Sequence, residues 1–503
     1  MDQTQMSPHG IEIREVGTIT EIKRGIVKLA GLPTCIMGQL IELGRGVRGF
    51  VIGFTEAEVL ALTLGNESEL SVGQRVDVRQ QPLRLPVGRR LMGRVVSPLG
   101  EPLDGDPAPA AEAMRPMFQE ATSIMARSPV ERQLPTGIKV IDTMIPLGKG
   151  QRELIIGDRM TGKTSLALDM ILTQRDQELV CIYCSIGQSQ QKLRQVTQVL
   201  QERHADAYTI VVASPAAQQA SEQYLAPYAA CAMGEFFMEQ GQDVLIVFDD
   251  LSKHAWAYRQ LSLLLERPPG REAYPGDMFY IQAQLMERAG QLSPERGGGS
   301  MSFLPICETQ QGDVTGYVSS NLISMTDGQV YLSSELFYEG VKPAIDVGLS
   351  VSRIGNKVQP PLFREVSQTL RLELLQYQEF VRLSRFSSSK SEEMIRKQRR
   401  GSLVRRLMTQ PVHRPMGIED QTLILYALKT GRLDRLNDEG VRLCLEGLAS
   451  RLPAELVAVL RQAEQPAPLF RAQLDAALDE ALRMFQQKQE GDGRHAVSEA
   501  ASR

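Results

Sequence analysis

Residues 157–164 read Gly157-Asp158-Arg159-Met160-Thr161-Gly162-Lys163-Thr164 and match the pattern GxxxxGK(S/T). A strand-like apolar segment, 153–156, precedes this run, and a helix-like segment, 164–172, follows it. In such a setting glycine lets backbone N–H groups turn towards phosphate oxygens, and the helix presents its positive end. Lys163 then reaches the terminal phosphates and Thr164 can ligate magnesium. The run predicts a phosphate-binding loop in an α/β domain; a glycine-rich turn without a ligand is the alternative.

A second apolar segment, 243–248, is followed by Asp249 and Asp250. An apolar strand that ends in a carboxylate is the usual second half of a P-loop site, because the carboxylate helps to hold magnesium. We therefore expect Asp249 to join Thr164 at the metal, through a water molecule. Either aspartate could instead cap a helix that begins near Ser252.

The chain on both sides of this site predicts an α/β multidomain protein with three parts. Short strands with frequent glycine, evenly spaced up to residue 81, are typical of a small closed β-barrel. Further on, apolar runs alternate with amphipathic segments, which indicates a mainly parallel sheet covered by helices. From Phe363 onward apolar residues recur at helical spacing. We expect an N-terminal barrel over 1–84, a nucleotide-binding domain over 85–365, and a C-terminal helical domain with a frayed tail over 366–503.

Composition fits a soluble folded protein, with 42% hydrophobic and 23% charged residues in 503. Lysine and arginine number 56 against 60 acidic residues, a net charge of −4, which argues against coating nucleic acid. No apolar run is long enough to span a membrane, and residues 1–6 lack the character of a signal or transit peptide. The six cysteines are expected to be free, buried thiols, with Cys181 and Cys184 on opposite faces of a strand.

Residues 249–277 read Asp-Asp-Leu-Ser-Lys-His-Ala-Trp-Ala-Tyr-Arg-Gln-Leu-Ser-Leu-Leu-Leu-Glu-Arg-Pro-Pro-Gly-Arg-Glu-Ala-Tyr-Pro-Gly-Asp, and this run resembles the alpha subunit of F-type ATP synthase. The resemblance extends from about Gly17 to the C-terminal helices. It implies a β-barrel, a RecA-like P-loop domain and a helical bundle. Further matching runs are Glu308-Thr-Gln-Gln-Gly-Asp313, Ser324-Met-Thr-Asp-Gly328, Glu335-Leu-Phe-Tyr-Glu-Gly340 and Val347-Gly-Leu-Ser-Val-Ser-Arg353-Ile-Gly355.

The resemblance also implies partners and a place in the cell. Three alpha and three beta subunits form a ring around a rotating gamma shaft, held by peripheral-stalk subunits. The ring docks on a membrane rotor that a proton or sodium gradient drives. ATP is made from ADP and phosphate on beta, or hydrolysed in reverse. We therefore expect a peripheral protein on the cytoplasmic face of a bacterial cell membrane, with ATP or ADP and magnesium as ligands and no nucleic acid.

The expected roles of the alpha and beta subunits in the reaction rest on Gln188 and Arg353. In this family beta has a glutamate that polarises water after its second nucleotide-domain strand, whereas alpha has glutamine in a Gly-Gln pair, and here Gly187-Gln188 follows the strand-like run 181–186. An amide cannot act as a general base at neutral pH, so this site should not be catalytic. Arg353 matches the family's arginine finger and would act in the neighbouring beta subunit's site. Without that context a surface ion pair is the alternative for this arginine.

Three residues depart from the family pattern close to the expected nucleotide. Met160 stands where the P-loop usually has glutamine, Lys342 where arginine is usual, and Val412 where a second glutamine follows Gln410. Gln188, Phe337, Lys342 and Gln410 are the residues that we expect to bind the nucleotide with the P-loop. Because Met160 and Val412 lack amide groups and Lys342 lacks the fork of arginine, we expect weaker ATP binding than in other alpha subunits.

The N-terminus also departs from the family, since only about ten polar residues precede the barrel. The stator is therefore expected to attach differently, as in a divergent, alternative F-type enzyme of the N type. Two other classes of function compete with the alpha-subunit interpretation. A self-sufficient RecA-type hexameric motor needs a catalytic carboxylate where Gln188 stands. A nucleotide-free scaffold is favoured only if the three departures around the nucleotide base, Met160, Lys342 and Val412, abolish nucleotide binding.

Overall fold

The N-terminal part is a closed barrel of six antiparallel strands. A computed structural model describes residues 15–483 except 24, 45, 66, 385–391, 436–437, 446 and 461–467. The first strand pairs with the sixth, Gly17 opposite Val76, which closes the barrel. Alternate residues such as Ile41 and Leu43 are fully buried inside it. The strands are Glu15–Lys23, Ile26–Ala30, Gln39–Gly44, Val47–Phe54, Val59–Leu64 and Arg75–Pro82.

The central part is built on one ten-stranded, mainly parallel sheet. Its middle strands are buried along almost their whole length, because helices cover both faces. An edge strand, Val351–Ser352, runs antiparallel to its neighbour. Across the main path the order is Val351–Ser352, Gly328–Leu332, Leu154–Gly157, Ser300–Glu308, Asp243–Asp249, Leu179–Ile186, Thr209–Ser214 and Val95–Val96, with Gly290–Leu292 and Arg127–Ser128 off this path.

Two hydrophobic cores lie on opposite faces of this sheet. Cys181 belongs to the core shared with the C-terminal helices, and Cys184 belongs to the core that reaches the barrel. The alternation predicted for this strand is therefore confirmed, and both thiols are free and buried. The covering helices are Lys139–Met144, Lys163–Leu172, Gln190–Glu202, Ala220–Met238, Leu251–Leu264, Met278–Glu287, Tyr317–Met325 and Ser334–Tyr338.

The C-terminal part is helical, and within the described ranges no strand follows Val351–Ser352. Its helices pack on the first core: Phe363, Leu423 and Leu474 are fully buried in the same cluster as Ile155 of the central sheet. The helices are Pro361–Ser367, Leu370–Ser384, Glu392–Met408, Ile418–Lys429, Asp438–Leu445, Ala454–Leu460 and 468–483. The predicted fold class is confirmed in all three parts.

Two predictions concern the ends of the chain, the departure at the N-terminus and the frayed C-terminal tail, and both fall outside the described residues. Trp256 is 43% exposed on its helix. The apolar helix Ala220–Met238 carries a buried ion pair between Glu235 and Arg288. Among the residues that the structure describes, no helix is both long and apolar enough to cross a membrane.

Candidate nucleotide site

The P-loop joins the strand Leu154–Gly157 to the helix Lys163–Leu172, as predicted. Gly162 caps the helix with φ of 98°, a left-handed conformation that suits glycine. The ammonium of Lys163 donates to the carbonyl oxygens of Gly157 (2.8 Å) and Asp158. Burial lowers the pKa of Lys163, and the nearby Glu308, Asp250 and Asp249 carboxylates oppose that shift. The loop therefore holds a partly buried cation at the positive end of a helix, which is the electrostatic requirement for phosphate binding.

Asp158 fastens this loop to the neighbouring chain segments. Its Oδ1 accepts hydrogen bonds from Thr309 Oγ1 (2.7 Å) and Gly312 N (2.8 Å), and its Oδ2 accepts one from Ser334 Oγ (2.8 Å). Burial raises the pKa of Asp158, but these hydrogen bonds and Lys163 offset it, and the pKa lies below its ordinary value. Asp158 is thus an ionised anchor of the loop rather than a free ligand.

Asp249 lies across from Thr164 and accepts hydrogen bonds from several directions. Its Oδ2 accepts from Thr164 Oγ1 (2.6 Å) and Tyr183 OH (2.7 Å), and its Oδ1 accepts from Gln188 Nε2 (2.6 Å). Lys192 Nζ forms an ion pair with Oδ2 at 3.2 Å. A hydroxyl and a carboxylate side by side at the end of a P-loop are the oxygen ligands that magnesium prefers. The residues present therefore fit the predicted metal.

Asp250 has the helix-capping role that the sequence left open for either aspartate. Its Oδ1 accepts a hydrogen bond from Lys253 N (2.8 Å) and caps the helix Leu251–Leu264. Burial raises the pKa of Asp250 to about 6, although Lys253 opposes that shift. Asp249 therefore faces the P-loop and Asp250 serves the helix.

The side-chain amide of Gln188 is buried between the Asp249 carboxylate and the Lys253 ammonium group. Its Nε2 faces Asp249, and its Oε1 accepts a hydrogen bond from Lys253 Nζ at 2.6 Å. The amide is only 5% exposed, so both of its ends are held by charged side chains. The group that follows the strand is neutral and engaged, and it cannot take a proton from water.

A cavity of about 270 Å³ adjoins the loop, and Asp249 does not line it. Met160 and Val412 are 90% and 48% exposed and line it. Lys342 Nζ lies 5.7 Å from the centre of the Phe337 ring, close enough for a cation–π contact. The structure thus brings Met160, Thr161, Gly162, Phe337, Lys342 and Gln410 to one cavity, whereas Gln188 belongs to the Asp249 side.

Gln410 lines the cavity, but its side-chain amide is engaged with the backbone. Its Oε1 accepts from Lys139 N (3.1 Å), and its Nε2 donates to Gly137 O (2.7 Å) and Arg414 O (2.8 Å). The side chain joins the cavity's C-terminal wall to the segment before the first nucleotide-domain helix. Its expected contact with the nucleotide stays a prediction.

Arg353 lies at the other end of the sheet from the P-loop. Its backbone N–H donates to Asp327 O (2.8 Å), just before the strand Gly328–Leu332, which runs parallel to the P-loop strand. Arg353 is therefore level with Arg152, and the P-loop begins five residues later, roughly 17 Å along the strand. The exposed Arg353 side chain makes no hydrogen bond to another residue in the described part of the chain. It lines a cavity together with Arg152 and Asp327, and no residue of the P-loop lines that cavity.

Several site residues were not foreseen from the sequence. Tyr183 and Lys192 contact Asp249, and Lys253 holds Gln188. Arg159 was part of the predicted loop, but its ion pair with Glu308 at 2.7 Å was not predicted. The only available signal was their position in or next to predicted strands and motif runs, since the contacts join residues far apart in the chain.

Comparison with protein families matches the chain in three consecutive segments. Residues 12–78 match the beta-barrel domain of the ATP synthase alpha/beta family, residues 137–352 its nucleotide-binding domain, and residues 359–485 the C-terminal domain of the ATP synthase alpha/beta chain. These segments coincide with the barrel, the sheet with its P-loop, and the helical part described above. The family layout and the observed architecture agree.

Individual relatives give the same result. The chain is 47% identical over 438 residues, 87% of both chains, to the ATP synthase subunit alpha of Caldanaerobacter subterraneus subsp. tengcongensis. It is 44% identical over 473 residues, 94% of both, to that of Dehalococcoides mccartyi (strain ATCC BAA-2266), and 48% identical over 434 residues to that of Lactiplantibacillus plantarum. The chain therefore belongs to the ATP synthase alpha/beta family, in the branch of the rotary F-type alpha subunits.

Proposed function

We propose that this alpha subunit binds magnesium-ATP or magnesium-ADP without turning it over and serves the chemistry of a neighbouring beta subunit. The observation that carries the proposal is the buried contact of Gln188 with both Asp249 and Lys253. At the position where a catalytic site needs a base, this chain has a neutral amide whose oxygen is already bound by an ammonium group. Bound magnesium would neutralise phosphate charge next to Thr164 and Asp249.

Arg353 is the residue that we propose to act outside the chain. Its exposure and its distance from the P-loop support action on a nucleotide held by another subunit. A guanidinium keeps its charge and offers fork-shaped donors to equatorial phosphate oxygens in the transition state. Arginine fingers in related phosphoryl-transfer enzymes are worth about 10³–10⁵ in rate.

The assembly proposed around this chain is a ring of three alpha and three beta subunits on a gamma shaft, held by peripheral-stalk subunits. It would sit on a membrane rotor at the cytoplasmic face of a bacterial membrane. We also propose domain boundaries near residues 84 and 365. The end of the last barrel strand at Pro82 supports the first boundary, and the second falls within Pro361–Ser367, the first helix of the C-terminal part.

The two competing functions have less support. A self-sufficient RecA-type motor requires a carboxylate at position 188, and this chain has glutamine there. A nucleotide-free scaffold would not require the Lys163, Thr164 and Asp249 arrangement, which is complete.

The test is reconstitution of this chain with its cognate beta and gamma subunits and measurement of magnesium-ATP hydrolysis. Native protein, Arg353→Ala and Lys163→Ala are compared after size-exclusion chromatography has shown that each assembles. We expect Arg353→Ala to abolish multi-site turnover, by about 10³-fold or more, and Lys163→Ala to leave much of it. A harmless Arg353→Ala with a lethal Lys163→Ala would mean that the active site lies in this chain.

A further inference from the structure

The strand that ends in the P-loop is preceded by two buried polar residues that face the arginine end of the sheet. Gln151 is 1% exposed and Glu153 is fully buried. Gln151 Nε2 donates both to Glu153 Oε2 (2.8 Å) and to Ser352 Oγ (3.2 Å), and Ser352 immediately precedes Arg353. One side-chain amide thus links the P-loop strand to the base of the arginine.

Ser352 is held from other directions as well. Its Oγ donates to Pro146 O at 2.8 Å and accepts from Gly355 N at 3.3 Å. The Arg353 N–H donates to Asp327 O, and the Asp327 carboxylate accepts hydrogen bonds from Nε and Nη2 of Arg152. The backbone that carries Arg353 is therefore held by several hydrogen bonds, and Gln151 is the buried link to the P-loop strand.

The Glu153 carboxyl has one oxygen without a hydrogen-bond partner among the described residues, Oε1. A Cβ on Gly328 would overlap both carboxyl oxygens, so glycine there lets the carboxyl pack against the backbone of the edge strands. Burial, with help from Asp327, holds the pKa of Glu153 well above its ordinary range, while Gln151 and Arg353 oppose that shift. The Glu153 carboxyl is therefore packed tightly against the edge strands at the place where it accepts from Gln151.

We propose that Gln151 and Glu153 are positioning residues for Arg353, which set the placement of its guanidinium in the neighbouring subunit's site. The proposal rests on the role of Arg353 proposed above. Neither residue would touch the nucleotide. Both act by fixing Ser352, and with it the origin of the Arg353 side chain. A displacement of about 1 Å at a catalytic group can cost about 10²-fold in rate.

The test uses the reconstituted complex with beta and gamma and measures kcat and KM for magnesium-ATP hydrolysis. Gln151→Met should lower kcat by about 10–100-fold with KM changed by less than about twofold, because the lost contact matters in the transition state. The matched control is Gln174→Met, since Gln174 is equally buried and its amide donates two hydrogen bonds far from Arg353. It should stay within about twofold of the native kcat.

A double-variant cycle separates positioning from a general loss of structure. Gln151→Met should add no further loss to Arg353→Lys, since it acts only through the native guanidinium. The kcat of Glu153→Gln, the neutral isostere, should be at least tenfold higher than that of Glu153→Asp, because the shorter aspartate side chain cannot reach Gln151. These two variants also serve if Gln151→Met fails to assemble.

Two results would overturn the inference and leave the proposed function intact. The first is that Gln151→Met and Glu153→Asp both keep the kcat of the native protein while Arg353→Lys has a lower kcat. The other is a double variant in which the losses multiply, because independent losses mean that Gln151 acts on the structure generally. Full activity of Arg353→Lys and of Arg353→Ala would overturn the proposed function itself, and the positioning role with it.

Discussion

Thr164 Oγ1 donates a hydrogen bond of 2.6 Å to Asp249 Oδ2, so the first residue after the P-loop lysine is joined to the end of a strand 85 residues later. Two motifs that are separate in the sequence therefore form one oxygen-rich corner. A hydroxyl that ligates magnesium matters for the magnesium complex of ATP and not for ATP alone.

We predict that Thr164→Val lowers the affinity for magnesium-ATP by about tenfold or more, equivalent to about 1.4 kcal/mol. Affinity for ATP in the presence of a chelator should change little. Equilibrium titration of the isolated chain, with and without magnesium, measures both. Thr197→Val is the control, because Thr197 Oγ1 bonds only within its own helix. Equal losses in the two conditions would argue against a metal at Thr164.

The cavity next to the P-loop should bind its nucleotide more tightly when amides are restored. Met160→Gln and Val412→Gln each place a hydrogen-bonding group at an exposed position on the cavity wall. At about 0.5–1.5 kcal/mol per hydrogen bond, each change should raise magnesium-ATP affinity by roughly 2–10-fold. Titration calorimetry of the isolated chain measures this, with the exposed barrel residue Met37→Gln as the control. Tight binding by the native chain, unaltered by either change, would contradict the expectation of a weakened site.

The buried ion pair of Arg288 and Glu235 should be a large determinant of stability. Arg288 Nε and Nη2 donate to the two Glu235 oxygens at 2.7 and 2.8 Å, and Arg288 is only 3% exposed. Glu235→Ala leaves that charge buried without its partner and should lower the free energy of unfolding by about 3–5 kcal/mol. Combining it with Arg288→Met should recover part of the loss. Urea denaturation gives the values, and a loss below about 1 kcal/mol for the single change would refute the prediction.

His254 should make the chain less stable as the pH falls. Its ring is fully buried and stacked on Tyr224, with centroids 5.5 Å apart, and burial lowers the pKa of His254 to about 4. In the unfolded chain the pKa is about 6.5, so between pH 6.5 and 4 the unfolded state binds the proton and the folded state does not. Folding stability is therefore lost across that window, by about 3 kcal/mol at pH 4, and is unaffected by this group above pH 7.

The corresponding experiment compares the native chain with His254→Phe. Urea midpoints and slopes from pH 7.5 to 4 should show a smaller acid loss in the variant, whose ring cannot take a proton. Parallel pH dependences in the two proteins would show that His254 does not cause the loss.

Much of the fold was predictable because its causes are local. Six glycine-punctuated strands predicted the barrel, and the apolar run 179–186 coincides with the observed strand Leu179–Ile186. The P-loop strand and helix were predicted to within a residue at each end. Strand alternation also placed Cys181 and Cys184 on opposite faces correctly.

The sequence by itself determined the P-loop, the neutral residue at Gln188 and the family, because residue identity and short-range spacing carry these features. Only the tertiary structure decided that Lys253 occupies the Gln188 oxygen, that Gln410 is bonded to backbone, and that Arg353 stands at the opposite end of the sheet from Gly157. Each of these depends on strand order and on side chains that meet across tens to hundreds of residues. Local steric preference and hydrophobic period specify strands and helices, but contacts between them arise only when all the elements pack together.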